Sequence, residues 1–146
     1  MATSAETRLR QFYARFGEHR FADLLEFFAP GVWYIQINSM TADNSPQGPE
    51  AVGRAYADWG RWFQNFQIGQ PILDRAGQQE VERVGGAEAC FTALYALRGM
   101  YVIPIPGLRA VKPPKLGRTP TLVMSDKVWL DGEHNILRVV NSFGRP

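Results

Sequence analysis

The chain has 146 residues, a length that fits one domain with one core, and we expect a single domain over residues 1–146. Its formal charge of +2 is too small to indicate a nucleic-acid partner. No stretch approaches the roughly 18 to 20 apolar residues of a membrane span, and the first residues lack the apolar core of a signal peptide. The single cysteine, Cys90, excludes an intramolecular disulfide, and no histidines or carboxylates have metal-ligand spacing. We therefore expect a cytoplasmic protein without a metal, nucleic-acid or membrane partner.

Two short helices are predicted at the start of the chain. Apolar side chains recur at helical spacing up to Gly17 in the first, and Thr3 with Glu6 forms a candidate capping box. The same spacing returns over 21–28 in the second, which Pro30 and the following glycine should end.

Over residues 32–38 apolar and polar side chains alternate, which predicts a strand with one apolar and one polar face. The apolar face would carry Trp33, Ile35 and Ile37. The polar face would carry Tyr34, Gln36 and Asn38.

A third helix is predicted to start at Pro49, a residue suited to the first turn of a helix, and to continue to Phe66. Gly60 weakens this helix and indicates a close approach by another group. The aromatic face of the predicted helix is formed by Tyr56, Trp59, Trp62, Phe63 and Phe66.

The rest of the chain is predicted to be mostly sheet, with strands over 67–74, 78–83, 87–102, 120–130 and 135–143. Asp131 and the following glycine are typical of the hairpin between the last two strands. The Pro-rich segment 103–119 is open to three interpretations: a lid, a dimer contact or a disordered excursion. The element order predicts an α+β fold, with helices on one side of a curved antiparallel sheet.

Three segments, "LRQFYARFGEHRFADLLEFFAPGVWYIQI", "GPEAVGRAYADW" and "MSDKVWLDGEHNILRVVNSF", resemble the nuclear transport factor 2-like superfamily. Within it, the chain is most similar to the SnoaL-like and ketosteroid-isomerase-like proteins. The resemblance implies a conical barrel in which a mostly antiparallel sheet wraps around three helices from the N-terminal half and encloses an apolar cavity. Known activities in this superfamily include polyketide cyclisation, steroid isomerisation, dehydration and epoxide opening, and some members only bind a ligand or partner.

Asp126 is the first candidate catalytic residue. In a strand it shares a face with Met124, Val128 and Leu130, and the resemblance places a cavity-facing aspartate at this position. Desolvation among apolar atoms would raise the pKa of the carboxyl, which suits a general acid near neutral pH. The alternative is a flipped register that turns Asp126 to solvent.

Tyr13 is the second candidate catalytic residue, since it adjoins Phe12, where the resemblance places the oxyanion-hole tyrosine of the isomerases. Gln36 falls near the position of the isomerase general-base aspartate. Because an amide does not accept a proton at neutral pH, a steroid-isomerase mechanism with that base is disfavoured.

Eight further side chains are candidates for substrate binding. The resemblance places Asn141 on an inward face with Leu137, Val139 and Phe143, and it suggests that Arg98 completes an Asp–Arg pair like that of epoxide hydrolases in this superfamily. The full set comprises Tyr34, Gln36, Asn38, Tyr56, Trp59, Phe63, Arg98 and Asn141.

These expectations favour a cofactor-independent enzyme of the polyketide-cyclase, isomerase or dehydratase type, acting on a hydrophobic, carbonyl-bearing small molecule. The rival is a non-catalytic module that binds a ligand or partner through the same fold, and a third possibility is an epoxide hydrolase or cyclase. We also expect a homodimer formed through an outer apolar patch of Trp33, Ile35, Ile37 and Trp129.

Overall fold

The computed structural model describes residues 4–38, 45–108 and 112–146. Helix α1 spans Ser4–Gly17, as predicted, and its buried face includes Phe12 and Tyr13. Thr3 of the predicted capping box lies outside the described residues. Within the described ranges, no helix is long and apolar enough to cross a membrane.

The second predicted helix is a 3₁₀ helix, Phe21–Phe27, and strand β1, Phe28–Gln36, follows it at once. Pro30 was expected to end the helix but lies inside β1. The strand tolerates it because β1 is at the edge of the sheet, where a missing N–H breaks no inner ladder, and its pairing is irregular between Phe28 and Trp33.

Helix α2, Pro49–Trp62, ends four residues earlier than predicted, and Phe63 opens strand β2, Phe63–Ile68. Both Phe63 and Phe66 still reach the core because β2 is bulged between Gln64 and Gln67. The bulge spaces the inward side chains three residues apart, which imitates a helical period. Gly60 makes the close approach that was predicted, since a Cβ there would lie 3.3 Å from the ring of Phe21.

The sheet is completed by strands β3, Ile72–Arg75, β4, Ala89–Tyr101, β5, Thr121–Leu130, and β6, Ile136–Gly144. The strand predicted over 78–83 is wrong: a short helix α3, Gln78–Val81, lies there instead. The strand order is β1-β6-β5-β4-β2, and β3 also pairs with β4. β1 and β6 are parallel, and the other paired strands are antiparallel.

The sheet curls strongly into a half-barrel, and the N-terminal helices pack on its inner face, which confirms the predicted α+β fold class. The main core lies between the two layers and is rich in aromatic side chains. The described parts of the Pro-rich segment return to the end of β4, where Tyr101 accepts a hydrogen bond from Ile105 and bonds with the backbone of Gly117 and Arg118.

A small second cluster lies on the outer face of the sheet, under α3. It contains Trp129, which is only 4% exposed and donates its indole N–H to the carbonyl oxygen of Glu80 at 2.9 Å. Trp129 therefore does not belong to an exposed outer patch, contrary to the sequence-based expectation. Cys90 is buried in the same cluster, where burial raises the pKa of its thiol to about 11.

Candidate active site

Asp126 lies at the centre of the sheet, on the inner face of β5. Its cross-strand partners are Ala93 on β4 and Asn141 on β6. Met124, Val128 and Leu130 are buried with it, so the structure has the inward register rather than the flipped one. The carboxyl has no exposed surface, with a relative accessibility of 0%.

Neutral donors from three different elements hold the two carboxyl oxygens. On Oδ2, the hydroxyl of Tyr13 from α1 donates at 2.6 Å and that of Tyr95 from β4 donates at 3.0 Å. On Oδ1, the side-chain amide of Asn141 from β6 donates at 2.5 Å. The structure thus brings together both candidate catalytic residues and one candidate substrate-binding residue.

Burial has the largest effect on the pKa of Asp126. Burial raises the pKa of the carboxyl above its usual value, and hydrogen bonds from Asn141, Tyr13 and Tyr95 oppose part of this rise. Burial and the nearby carboxylate also raise the pKa of the surrounding phenols, so they remain protonated donors at neutral pH. These phenols are Tyr13, Tyr34, Tyr56 and Tyr95.

Two more polar side chains extend the network away from Asp126. Gln36 donates from Nε2 to Oδ1 of Asn141, and its Oε1 accepts the backbone N–H of Asn38 at 2.8 Å. Asn38 in turn accepts the backbone N–H of Phe143 at 2.8 Å through Oδ1. Gln36 and Asn38 were predicted to face a substrate, and in the structure they belong to a buried hydrogen-bonded chain that ends at Asp126.

The remaining aromatic candidates surround this network. Tyr34 packs edge-to-face on Tyr56 with ring centroids 5.1 Å apart, and Trp59 stacks on Phe63 at 6.1 Å. All four are buried. The hydroxyl of Tyr56 has no hydrogen-bond partner among the described residues, which makes it a buried donor that a ligand oxygen would satisfy.

Arg98 does not join this site. It is exposed on the outer face of β4, where its guanidinium donates to Oγ1 of Thr121 at 3.3 Å. The expected pair of Asp126 with Arg98 is therefore not formed, because the two side chains point to opposite faces of the sheet. Leu137 was predicted to face inward with Asn141 but does not. The β5–β6 pairing is irregular near Leu130, so Ile136 faces inward and Leu137 packs on the outer cluster.

Tyr95 is the site residue that sequence reasoning missed. The signal was available in the alternation of β4, where Ala93, Tyr95 and Leu97 share one face and Arg98 lies on the other. Only the register between β4 and β5 shows that this face meets Asp126.

An open groove of about 480 Å³ runs between α1 and the connection from β2 to β3. Tyr13 lines it, together with Arg10, Gly17 and residues 68–71. Tyr13 is thus the residue that links the groove to Asp126. Among the described residues, no group of three or more His, Cys, Asp or Glu side chains is placed to hold a metal ion.

No protein-family model matches the chain, and the comparison with curated proteins finds no relative. Solved structures do match. A candidate SnoaL-like polyketide cyclase from Jannaschia sp. CCS1 is 16% identical, with a TM-score of 0.62 over 98% of this chain and 90% of that one. A candidate isomerase from Bacillus subtilis is 12% identical, with a TM-score of 0.67 over 94% and 84% of the two chains.

A third match is SalBIII, an epoxide hydrolase/cyclase-like enzyme in pyran ring formation of the polyether salinomycin. It is 13% identical, with a TM-score of 0.67 over 96% of this chain and 90% of that one. At these identities the matches show the fold. The chain has the fold of the nuclear transport factor 2-like and SnoaL-like proteins, which confirms the resemblance seen in the sequence.

Proposed function

We propose that the protein is an enzyme that uses Asp126 for acid–base chemistry on a hydrophobic, carbonyl-bearing small molecule, in a reaction of the cyclase, isomerase or dehydratase type. The observation that carries the proposal is the fully buried carboxyl with a raised pKa, held by two tyrosine hydroxyls and an amide. A raised pKa makes a carboxyl better suited to general acid catalysis, because more of it carries a proton at a given pH. The similarity to structures of candidate cyclases and an isomerase supports the same class of chemistry.

In the proposed step, neutral Asp126 transfers its proton to the carbonyl oxygen of the substrate, and a water molecule takes a proton from the carbon next to that carbonyl. The products of the step are an enol, the carboxylate of Asp126 and a hydronium ion. Tyr13 and Tyr95 already direct their hydroxyl protons towards the carboxyl, and they stabilise the negative charge that remains there. Such a step needs only side chains and water, so we propose that the reaction is cofactor-independent.

The groove beside α1 is the proposed route to Asp126. Asp126 has no exposed surface, so substrate must displace a side chain, and Tyr13 both lines the groove and bonds to the carboxyl. The aromatic side chains of Tyr56, Trp59 and Phe63 would hold the apolar body of the substrate, and the unpartnered hydroxyl of Tyr56 would donate to one of its oxygens.

Deuterium exchange tests the proposal without knowledge of the natural substrate. In D₂O the protein should accelerate the exchange of the hydrogens next to the carbonyl of 2-tetralone, a hydrophobic ketone. Asp126→Asn, shown to be folded by circular dichroism, should lower that acceleration by about 100-fold or more.

Asp74→Asn is the matched control, since Asp74 is exposed on β3, and it should exchange the ketone at the wild-type rate. Equal acceleration by wild-type protein and Asp126→Asn would contradict a catalytic role for Asp126.

A non-catalytic ligand- or partner-binding module is the second candidate function. It is favoured by the fact that protein groups already fill the hydrogen-bonding positions of the fully buried Asp126. On this alternative, 2-tetralone binds without acceleration of exchange. Epoxide opening has less support than either, because Arg98 lies on the opposite face of the sheet from Asp126.

We also propose that the chain forms a homodimer through the outer face of the sheet. Leu94 and Val123 are exposed there on neighbouring strands, and Ile72 lies beside Leu94. These residues replace Trp129 in the patch expected from sequence.

A further inference from the structure

We propose that Gln36 and Asn38 are positioning residues: they hold the Asn141 amide in one orientation, so that Oδ2 of Asp126, the oxygen facing the two tyrosines, is the oxygen that carries the carboxyl proton. We call the residues Asn38, Gln36 and Asn141 the amide chain. Its assigned role in catalysis rests on the proposed function, whereas its orientation is a property of the folded protein alone.

Backbone N–H groups anchor the direction of the amide chain. A backbone N–H only donates, so the side-chain atom of Asn38 that faces the N–H of Phe143 must be its oxygen. The same argument applies to Gln36, whose side-chain oxygen accepts the N–H of Asn38. The far end of Gln36 is therefore its NH₂ group.

That NH₂ group determines the orientation of Asn141. The atom of Asn141 that faces Gln36 must accept, so it is Oδ1, and Nδ2 is left to face Asp126. If the Asn141 amide were flipped, its NH₂ group would face the NH₂ group of Gln36, and its oxygen would face Oδ1 of Asp126. Inside a buried site, each mismatch leaves desolvated polar groups without a hydrogen-bond partner, which disfavours the flipped orientation.

The orientation of Asn141 makes the two carboxyl oxygens of Asp126 unequal. Oδ1 faces an N–H donor that cannot turn away, so a proton there would meet another proton. Oδ2 faces the hydroxyls of Tyr13 and Tyr95, and a hydroxyl can rotate from donor to acceptor. A proton carried by Asp126 therefore sits on Oδ2 and leaves towards the tyrosines and the groove, not towards β6.

Replacement of Gln36 tests this inference. In Gln36→Met the Asn141 amide is free to flip and to accept a proton from Oδ1, which stabilises the neutral acid. The pKa of Asp126, followed by carbon-13 NMR of its carboxyl, should rise by about one unit, a tenfold change in acidity. Gln67→Met, at an exposed position of β2, is the matched control and should leave that pKa unchanged.

A double-mutant cycle separates positioning from a general structural effect. Asn141→Leu removes the donor to Oδ1 and should itself raise the pKa of Asp126. In that background Gln36→Met should cause no further rise, because Gln36 acts through Asn141. Additive shifts, or an unchanged pKa in Gln36→Met, would overturn the inference.

A measurement on the wild-type protein does not depend on the folding of a variant. The side-chain NH₂ protons of Asn141 should move downfield as Asp126 ionises, with the same apparent pKa as the carboxyl carbon. Their failure to follow that titration would show that Nδ2 does not face Asp126. Neither NMR readout needs a substrate. If the exchange reaction failed but the titrations gave the expected results, the proposed function would be contradicted and the inference about the amide chain would remain supported.

Discussion

At the residue scale, Asp126 is bound by neutral donors on three elements: Tyr13, Tyr95 and Asn141. These bonds satisfy the carboxyl but do not supply the opposite charge that would offset its desolvation, so burial remains the largest influence and the pKa is raised. A raised pKa in the folded state means that ionisation opposes folding. The associated loss of stability begins as pH rises above the unfolded value and is complete once pH has passed the folded pKa.

Asp126→Asn should remove this pH dependence, because an amide imitates the neutral acid and does not ionise. Between the unfolded and folded pKa values, wild-type protein should lose about 1.4 kcal/mol of unfolding free energy per pH unit relative to the variant. Urea denaturation from about pH 4 to about pH 8 measures the difference. Asp74→Asn should parallel the wild type, and parallel curves for Asp126→Asn would refute the raised pKa.

At the scale of elements, the contact between β2 and β4 depends on a glycine. Gly99 faces the bulge in β2, and a Cβ there would lie 2.9 Å from both Cα and Cβ of Phe66 and 3.0 Å from Cβ of Phe63. All three atoms are fixed by the backbone of β2, since a Cβ moves only when its Cα moves. The bulge that brings Phe63 and Phe66 into the core therefore requires a residue without a side chain on the neighbouring strand.

Gly99→Ala should lower the free energy of unfolding by about 1 to 3 kcal/mol, since the added methyl group forces β2 away from β4. Thermal or urea denaturation measures the loss. Gly144→Ala is the matched control on strand β6, where an added Cβ meets nothing within 4 Å, and it should be neutral or slightly stabilising. Equal stability of the two variants would show that the close approach of β2 to Gly99 does not affect the free energy of unfolding.

At the scale of the whole molecule, the N-terminal helices cover the inner face of the curled sheet, whereas part of its outer face is exposed to solvent. Helix α3 covers the outer face at Trp129, but Leu94 and Val123 stay exposed further along β4 and β5. Exposed apolar residues on adjacent strands of a sheet are typical of an interface.

Light scattering at micromolar concentration should therefore return twice the 16.4 kDa chain mass. Leu94→Lys should lower the mass to that of the monomer, because a charge would be buried in the interface. Leu116→Lys, an exposed apolar residue in the loop before β5, should leave the dimer intact. A monomeric wild-type protein would contradict the proposed interface.

Local sequence patterns predicted much of this architecture. Alternation in β5 placed Asp126 among Met124, Val128 and Leu130, and alternation in β1 placed Tyr34 and Gln36 on one face. The local pattern was misleading in two places. Phe63 and Phe66 have helical spacing because β2 is bulged, and the strand predicted over 78–83 is replaced by a helix over the outer cluster.

The sequence by itself determined that Met124, Val128 and Leu130 share a strand face with Asp126, because side chains two residues apart in a strand lie on the same side, and it left open the direction of that face. The tertiary structure turned that face inward and buried the carboxyl of Asp126. Only the tertiary structure decided its partners. Tyr13, Tyr95 and Asn141 are separated by dozens of residues along the chain, and the strand register and the packing of α1 bring them to the same two oxygens. Register is a long-range property, and a shift of one residue would turn each of these strand side chains to the opposite face.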